Sequence, residues 1–196
     1  LLMDDELWGR SHPLDLWIYD KLILSSRLGY KCGPVGVPVP TPGEYIVRPI
    51  TNVLGMGIGA EKIFIQEQTD HLKPGHFWCE FFTGRHLSID YIDMQMVQCV
   101  EGFRAPYDPL WKWNKWKKTQ SCNPFPLILR GLQNKHQINC EFIGGKLIEV
   151  HQRLNTDMDG YDEIVPVWEG EEKDLEKQGF TYYNDKDYYR IGFWKK

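Results

Sequence analysis

The sequence predicts an α+β protein built mainly on antiparallel sheet with a few helices, and three observations carry that prediction. Apolar residues recur at helical spacing over 14–28 and briefly over 126–132. Most of the remaining ordered-looking sequence is short extended segments, several with alternating apolar and polar residues. Runs such as Thr83-Gly84-Arg85-His86 and Gly144-Gly145 supply turns between those segments. At 196 residues the chain can form one substantial core or two small lobes, and one compact unit with a cleft is expected.

The elements follow in order. Leu14, Trp17, Ile18, Leu22 and Leu28 mark a first helix, with Pro13 suited to its first turn and Gly29 to its end. Four prolines and three glycines within 30–43 remove backbone donors and permit tight turns, so this stretch is read as an irregular, directed connection. A strand over 44–50, a glycine-rich loop over 51–60 and renewed extension over 62–67 form one unit. Segments 76–82 and 87–92 flank the Thr83-Gly84-Arg85-His86 turn as a hairpin. Leu87, Ile89 and Tyr91 alternate there with Ser88 and Asp90, as in a half-buried strand. The meander continues over 94–103, a short helix is expected over 126–132, and segments 137–143 and 146–151 meet around Gly144-Gly145. The acidic, aromatic tail over 156–196 has no clear pattern.

Composition narrows the function classes. Hydrophobic residues at 42% and charged residues at 26% are the balance of a folded chain. Eight Trp and ten Tyr exceed what a minimal core needs, which leaves some available as a wall for a flat ligand. A net charge of -4 gives no global reason for nucleic-acid binding, so any cationic surface must be local. The five cysteines are odd in number and contain no C-x-x-C pair, suggesting neither a zinc site nor a disulfide framework and fitting a reducing cytoplasm. No leader pattern and no run of membrane-spanning length occurs, so a soluble, unprocessed, cytoplasmic chain is expected.

Two constellations carry chemistry. In 45–60, Arg48 stands at a strand end before Gly55, Gly57 and Gly59. Glycines let a backbone approach a polyphosphate closely, their amides can bond its oxygens, and Arg48 adds fixed positive charge. The simpler reading is a glycine-bearing hairpin with a surface arginine. In 139–155, Glu149, His151 and Arg153 share one strand face. A three-residue turn would set Glu141 across from Glu149, and two facing carboxylates invite a cation such as magnesium. A two-residue turn would instead put Cys140 opposite Glu149.

In order and character these pieces resemble the ATP-grasp superfamily. Asp20-Lys21 lies in the first helix, Gly36-Val37-Pro38-Val39-Pro40 follows, Val47-Arg48-Pro49 precedes the glycines, and Glu149-Val150-His151-Gln152-Arg153 closes the series. The resemblance covers about residues 14–155. It implies an ATP-grasp-like fold with a nucleotide cleft between two lobes of a single domain over 1–196, the smaller about 14–70 and the larger about 71–196. It implies ATP and Mg2+ as cofactors. Lys21 and Arg48 would contact phosphates, Gly55, Gly57 and Gly59 would cover them, and backbone near Gln66 and Glu67 would read adenine. Glu141, Glu149 and His151 would form the metal side. Arg48 and Arg153 would stabilise charge on the transferred phosphoryl group or the acyl acceptor.

Three departures stand out. Arg48 replaces the usual Lys. His151 replaces the usual Asn and is a poorer magnesium ligand. Only about a dozen residues precede the first helix, where family ligases carry a domain that helps bind the carboxylate substrate.

The leading expectation is an ATP-dependent ligase joining a carboxylate to an amine or similar nucleophile through an acylphosphate. The alternative is a non-catalytic nucleotide-binding or nucleic-acid-binding module using 110–118, where Trp111, Trp113 and Trp116 interleave with Lys112, Lys115, Lys117 and Lys118. That combination suits a nucleic acid or an acidic peptide. It equally suits an edge strand guarded by lysines, with Trp111 and Trp113 packed inward. His71, His76 and His86 lack ligand-like spacing and are read as ordinary hydrogen-bonded residues.

Overall fold

The computed structural model describes residues 4–51, 57–121 and 123–196. Strands β1 (Cys32–Pro34), β2 (Gly43–Pro49), β3 (Glu61–Ile65) and β4 (His76–Glu80) form a four-stranded sheet in the order β1-β4-β2-β3. A second sheet of eight strands contains β5 (His86–Ile92), β6 (Gln95–Phe103), β7 (Lys115–Lys118) and β8 (Gln137–Ile143). Its other members are β9 (Lys146–His151), β10 (Glu163–Trp168), β11 (Thr181–Asp187) and β12 (Arg190–Lys195), and the order is β11-β12-β10-β7-β6-β5-β8-β9. The pairings of both sheets are antiparallel, and with the few helices this is the predicted α+β architecture.

The first helix is broken where a continuous one was expected. Pro13–Tyr19 is a 3-10 helix, and α2 begins afresh at Lys21 and runs to Arg27, preceded at the N-terminus by α1 (Asp4–Arg10). Asp20 causes the break. Its backbone is extended and bridges to Thr51, the Lys21 amide donates to the Ile50 carbonyl at 2.8 Å, and its carboxylate caps α2 by accepting from the Ile23 amide at 2.8 Å. Lys21 is thereby moved from mid-helix to the first turn, tied to the chain leaving β2.

The expected hairpin between 76–82 and 87–92 does not form. β4 joins the small sheet between β1 and β2, whereas β5 lies between β6 and β8 in the large one. Residues 81–85 are therefore a crossover between sheets, and the small sheet extends to Glu80, past the boundary expected near 70. Local chemistry cannot separate the two cases, because either needs a turn with a positive φ, which Gly84 supplies at 118°.

One face of the large sheet packs on the helices. Ile89, Tyr91, Ile138 and Val150 meet Ile18 and Leu24 in a cluster of side chains at most 2% exposed. Each such burial contributes about 1.5–3 kcal/mol. β5 is nevertheless not half-buried: His86 through Tyr91 are buried on both faces, with Ser88 in the lining of the cleft and Asp90 buried outside it.

The β8–β9 hairpin combines the two expected turns in an unforeseen way. Gly144 and Gly145, with φ of 55° and 80°, make a two-residue turn, pairing Ile143 with Lys146 and Phe142 with Leu147. A bulge then leaves Ile148 unpaired, and the register resumes with Glu141 opposite Glu149. The short turn alone would have put Cys140 there.

The tail supplies β10, β11 and β12, which extend the large sheet through β7. β7 is consequently an interior strand and not an edge. Lys112, Lys115 and Lys118 pair with Glu171, Glu163 and Asp162 at 2.8, 3.6 and 3.5 Å, while Trp111 packs against Trp168 and Tyr189.

The turn carries a test of this packing. A Cβ on Gly144 would collide with the Thr83 carbonyl oxygen of the crossover, whereas a Cβ on Gly170, at φ 78°, meets nothing within 4 Å. Gly170→Ala is expected to cost about 1 kcal/mol from left-handed strain alone, and Gly144→Ala about 3 kcal/mol. Urea midpoints compare the two, and equal losses would refute the crossover contact.

Candidate functional site

A cavity of about 1030 Å³ lies between the sheets. Its walls include Ile46, Arg48 and Cys79 of the small sheet, Ser88, Asn139, Glu141, Glu149 and His151 of the large one, Lys21, and the crossover residues Phe81 to Arg85. This volume is at the upper end of the roughly 300–1,000 Å³ typical of a pocket for one drug-sized ligand.

Early cations and late carboxylates meet at one end. Lys21, 5% exposed, places Nζ 2.9 Å from Glu149 Oε1, and His151 Nε2 lies 3.6 Å from the same oxygen. Burial, together with the charge of Arg48, lowers the Lys21 pKa, against the opposing pull of Glu149. Arg48 is tied to the bulge, donating from Nη2 to the carbonyl of Ile148 at 3.1 Å. The bulge thus both restores the carboxylate register and presents an acceptor to the arginine. Arg48 Nε is buried without a hydrogen-bond partner among the described residues. Such an orphan donor normally costs about 1–3 kcal/mol and suits an anion in the cleft.

Glu141 accepts from or shares a proton with His86 Nε2 at 3.1 Å. Burial alone would raise its carboxyl pKa, but the His86 hydrogen bond and the charges of His86, His151 and Lys21 overcome this and hold it at about 2. Behind the pair, Asp90 accepts from Asn139 Nδ2 at 2.7 Å, from the Asn155 amide at 3.0 Å and from Gln98 Nε2 at 3.0 Å. Burial raises the Asp90 pKa and these bonds counter it. Asn139 stands opposite His151 in the β8–β9 register, so this network braces the strand end that leads to Arg153.

No protein-family model matches the chain, and no curated protein does. Among solved structures, it is similar to a protein from Archaeoglobus fulgidus provisionally assigned to the ATP-grasp superfamily. The TM-score is 0.52 at 15% identity, over 91% of this chain and 64% of that one. The fold is ATP-grasp-like. Weaker likenesses extend to the ATP-grasp ligase PsnB complexed with a minimal precursor, at 14% identity and TM-score 0.45 over 71% of this chain and 53% of that one. They also include D-alanine–D-alanine ligase from Bacillus anthracis, at 11% identity and TM-score 0.43 over 76% and 64%. The chain spans less than two thirds of the length of each of these structures.

Of the residues expected at the site of this ATP-grasp-like chain, the cavity brings together Lys21, Arg48, Gly57, Glu141, Glu149, His151 and Arg153. Gly59 is not in the lining: an added Cβ there would touch Pro49 at 3.3 Å, so it packs the loop against β2. Gly55 lies outside the described residues. Gln66 and Glu67 are exposed and absent from the lining, and the Glu67 carbonyl accepts from the Val39 amide at 2.9 Å. The crossover between sheets is instead Phe81 to Arg85, because β4 intervenes after the segment expected to read adenine. Glu141, Glu149 and His151 are neighbours, yet among the described residues no group of three or more His, Cys, Asp or Glu side chains is gathered to hold an ion unaided. His86, Asp90 and Asn139 were missed. The polar alternation of β5 was the available signal for Asp90, but it reads identically for a solvated face.

The Glu141 environment sets a pH dependence. A carboxyl lowered from 4.5 to about 2 adds stability that is present above the ordinary value and vanishes as pH falls through the folded one. With a chelator present, the stability advantage of the unmodified chain over Glu141→Gln is expected to narrow as pH falls from about 5 toward 2. Urea denaturation across this range measures it, and a constant difference would contradict the assigned environment.

Proposed function

We propose that the cleft binds ATP with magnesium and that the chain serves an ATP-dependent ligase joining a carboxylate to an amine or similar nucleophile. The observation that carries this reading is the meeting of Lys21 and Arg48 with Glu141 and Glu149 in one cavity between the sheets. The orphaned Arg48 Nε favours a phosphate oxygen as its missing acceptor. Lys21, whose ion pair among the described residues is with Glu149, supplies a second cation with three N–H donors for phosphate. Phe81 and Phe82, at the crossover, offer apolar surface and adjoining backbone for the base.

The donor set fits magnesium. That ion usually binds through one or two protein carboxylates together with phosphate oxygens and water, so an incomplete protein cage is the expected form. Glu141 and Glu149 would hold it, with His151 orienting Glu149. When bound, the ion neutralises phosphate charge and favours attack at the terminal phosphorus.

The chain's own residues then do the positioning. Arg48 and Lys21 would hold the phosphates, and Arg153, which lines the same cavity, would serve the acceptor. The acid's carboxylate oxygen attacks the terminal phosphorus; an O–P bond forms as the bridging P–O bond breaks, and ADP leaves with the electron pair. The amine next attacks the acyl carbon, phosphate departs with the C–O electron pair, and the amine proton passes to solvent.

Calorimetric titration with a non-hydrolysable ATP analogue and Mg2+ tests the binding half. Arg48→Ala is expected to weaken the analogue at least about tenfold, equivalent to about 1.4 kcal/mol. Trapping with hydroxylamine tests the chemical half: a hydroxamate should form only with ATP and a competent acid. Absence of analogue binding, or binding indifferent to Arg48, would overturn the reading.

A further inference from the structure

The cavity does not end at the charged residues. It continues along the same face of the large sheet toward β7, β10 and β12, where its lining is Trp113, Trp116, Ile164, Pro166, Trp168 and Phe193. Strand register explains the continuity: His86 stands opposite Gly102, Gly102 opposite Trp116, and Trp116 opposite Ile164. One row of side chains therefore runs from the carboxylate end to the aromatic end.

The rings are held in place before any ligand arrives. Trp113 and Trp116 have centroids 4.8 Å apart, and His86 meets them edge-on at 4.5 and 5.4 Å. Trp168 Nε1 donates to the Trp113 carbonyl at 2.8 Å. Gly102 makes the space: a Cβ there would come within 2.8 Å of the Trp116 ring and 3.0 Å of Trp113. Trp113 and Trp116 are only half-buried and border the cavity, whereas Ile164 and Phe193 behind them pack in a core cluster with Val100 and Met158. A rigid aromatic wall loses little freedom on binding and stacks well on a flat ligand.

Charge limits what that ligand can be. Arg104 lies 6.0 Å over the Trp113 ring, so that ring already faces a cation, and Arg190, 4.1 Å over Phe193, is ion-paired with Asp185 and Asp187. A cationic ligand would meet like charge. At the other end of the row Lys21, Arg48 and Arg153 stand beside Glu141 and Glu149, and these cations are the groups there that suit an anion. His86 joins the two regions, contacting Trp113 and Trp116 on one side and Glu141 on the other, and its buried Nδ1 has no hydrogen-bond partner among the described residues.

We propose that this aromatic compartment seats the second substrate of the cleft, a carboxylic acid with a flat aromatic body, its carboxylate turned toward the cationic end. The inference rests on the ligase reading for the purpose of that carboxylate, but the binding itself is separable from it. It also gives the C-terminal strands a role, since β10 and β12 supply Pro166, Trp168 and Phe193.

The test is direct binding of 3-phenylpropanoate, followed by tryptophan fluorescence and ligand-observed NMR, with hexanoate and phenethylamine as comparisons. On the unmodified chain, 3-phenylpropanoate should bind at least fivefold more tightly than either. Trp113→Leu should weaken it at least fivefold while leaving ATP-analogue affinity within twofold. Gly102→Ala, which displaces both indoles, should act in the same direction. Equal binding of 3-phenylpropanoate and hexanoate overturns the proposal, and this comparison needs no variant to fold. Loss of analogue binding in Trp113→Leu with 3-phenylpropanoate unaffected also overturns it, since the aromatic end would then seat the nucleotide base. Selective 3-phenylpropanoate binding without any ATP-analogue binding supports the compartment and refutes the ligase reading alone.

Discussion

A charge can be withdrawn from water only beside a compensating one, and in this chain the compensation joins residues far apart in sequence. Lys21, at the start of α2, is buried against Glu149 of β9, and Arg48, at the end of β2, reaches the carbonyl of Ile148 beside it. The helix, the small sheet and the final hairpin of the cleft thus share one electrostatic junction. Breaking one side of a buried pair generally costs about 3–5 kcal/mol, because the survivor keeps its desolvation penalty. The elements that form the cleft are therefore held together by the same charged groups that line it.

The bulge at Ile148 is what makes this junction possible. A two-residue glycine turn alone sets a register in which Glu141 and Glu149 do not face one another, and a single extra residue corrects it. The same residue, unpaired in the ladder, has a carbonyl turned to Arg48. Glu141, now opposite Glu149, is kept ionised by His86 and the surrounding cations, although burial alone would favour its proton. A small backbone irregularity therefore decides the electrostatics of the whole floor.

That floor changes character along its length. Carboxylates and cations occupy the end nearest β8 and β9, whereas the end nearest β10 and β12 is walled by indoles and a phenyl ring. His86 bridges them, in contact with Glu141 and with two tryptophans. A polar end and an apolar end in one continuous cavity suit a reaction in which a phosphate and an organic acid must be brought together with solvent reduced.

Much of this was legible in the sequence. Periodicity and turn residues marked most strands, and the order of Lys21, Arg48, Gly57 and then Glu149, His151 and Arg153 pointed to residues that line the cleft, although β9 ends at His151 and Arg153 lies beyond it. These are local or ordered patterns, which short-range sterics and alternation determine. Partnership was not legible. Whether the Thr83–His86 turn closes a hairpin or crosses between sheets, whether β7 is an edge, and whether Ser88 and Asp90 are solvated or buried depend on which strand arrives alongside. The sequence by itself determined the periodicities, the turn positions and the charged groups available. Only tertiary structure decided the neighbours of His86, the bulge that sets Glu141 against Glu149, and the crossover at Phe81–Arg85, because each depends on long-range pairing between strands.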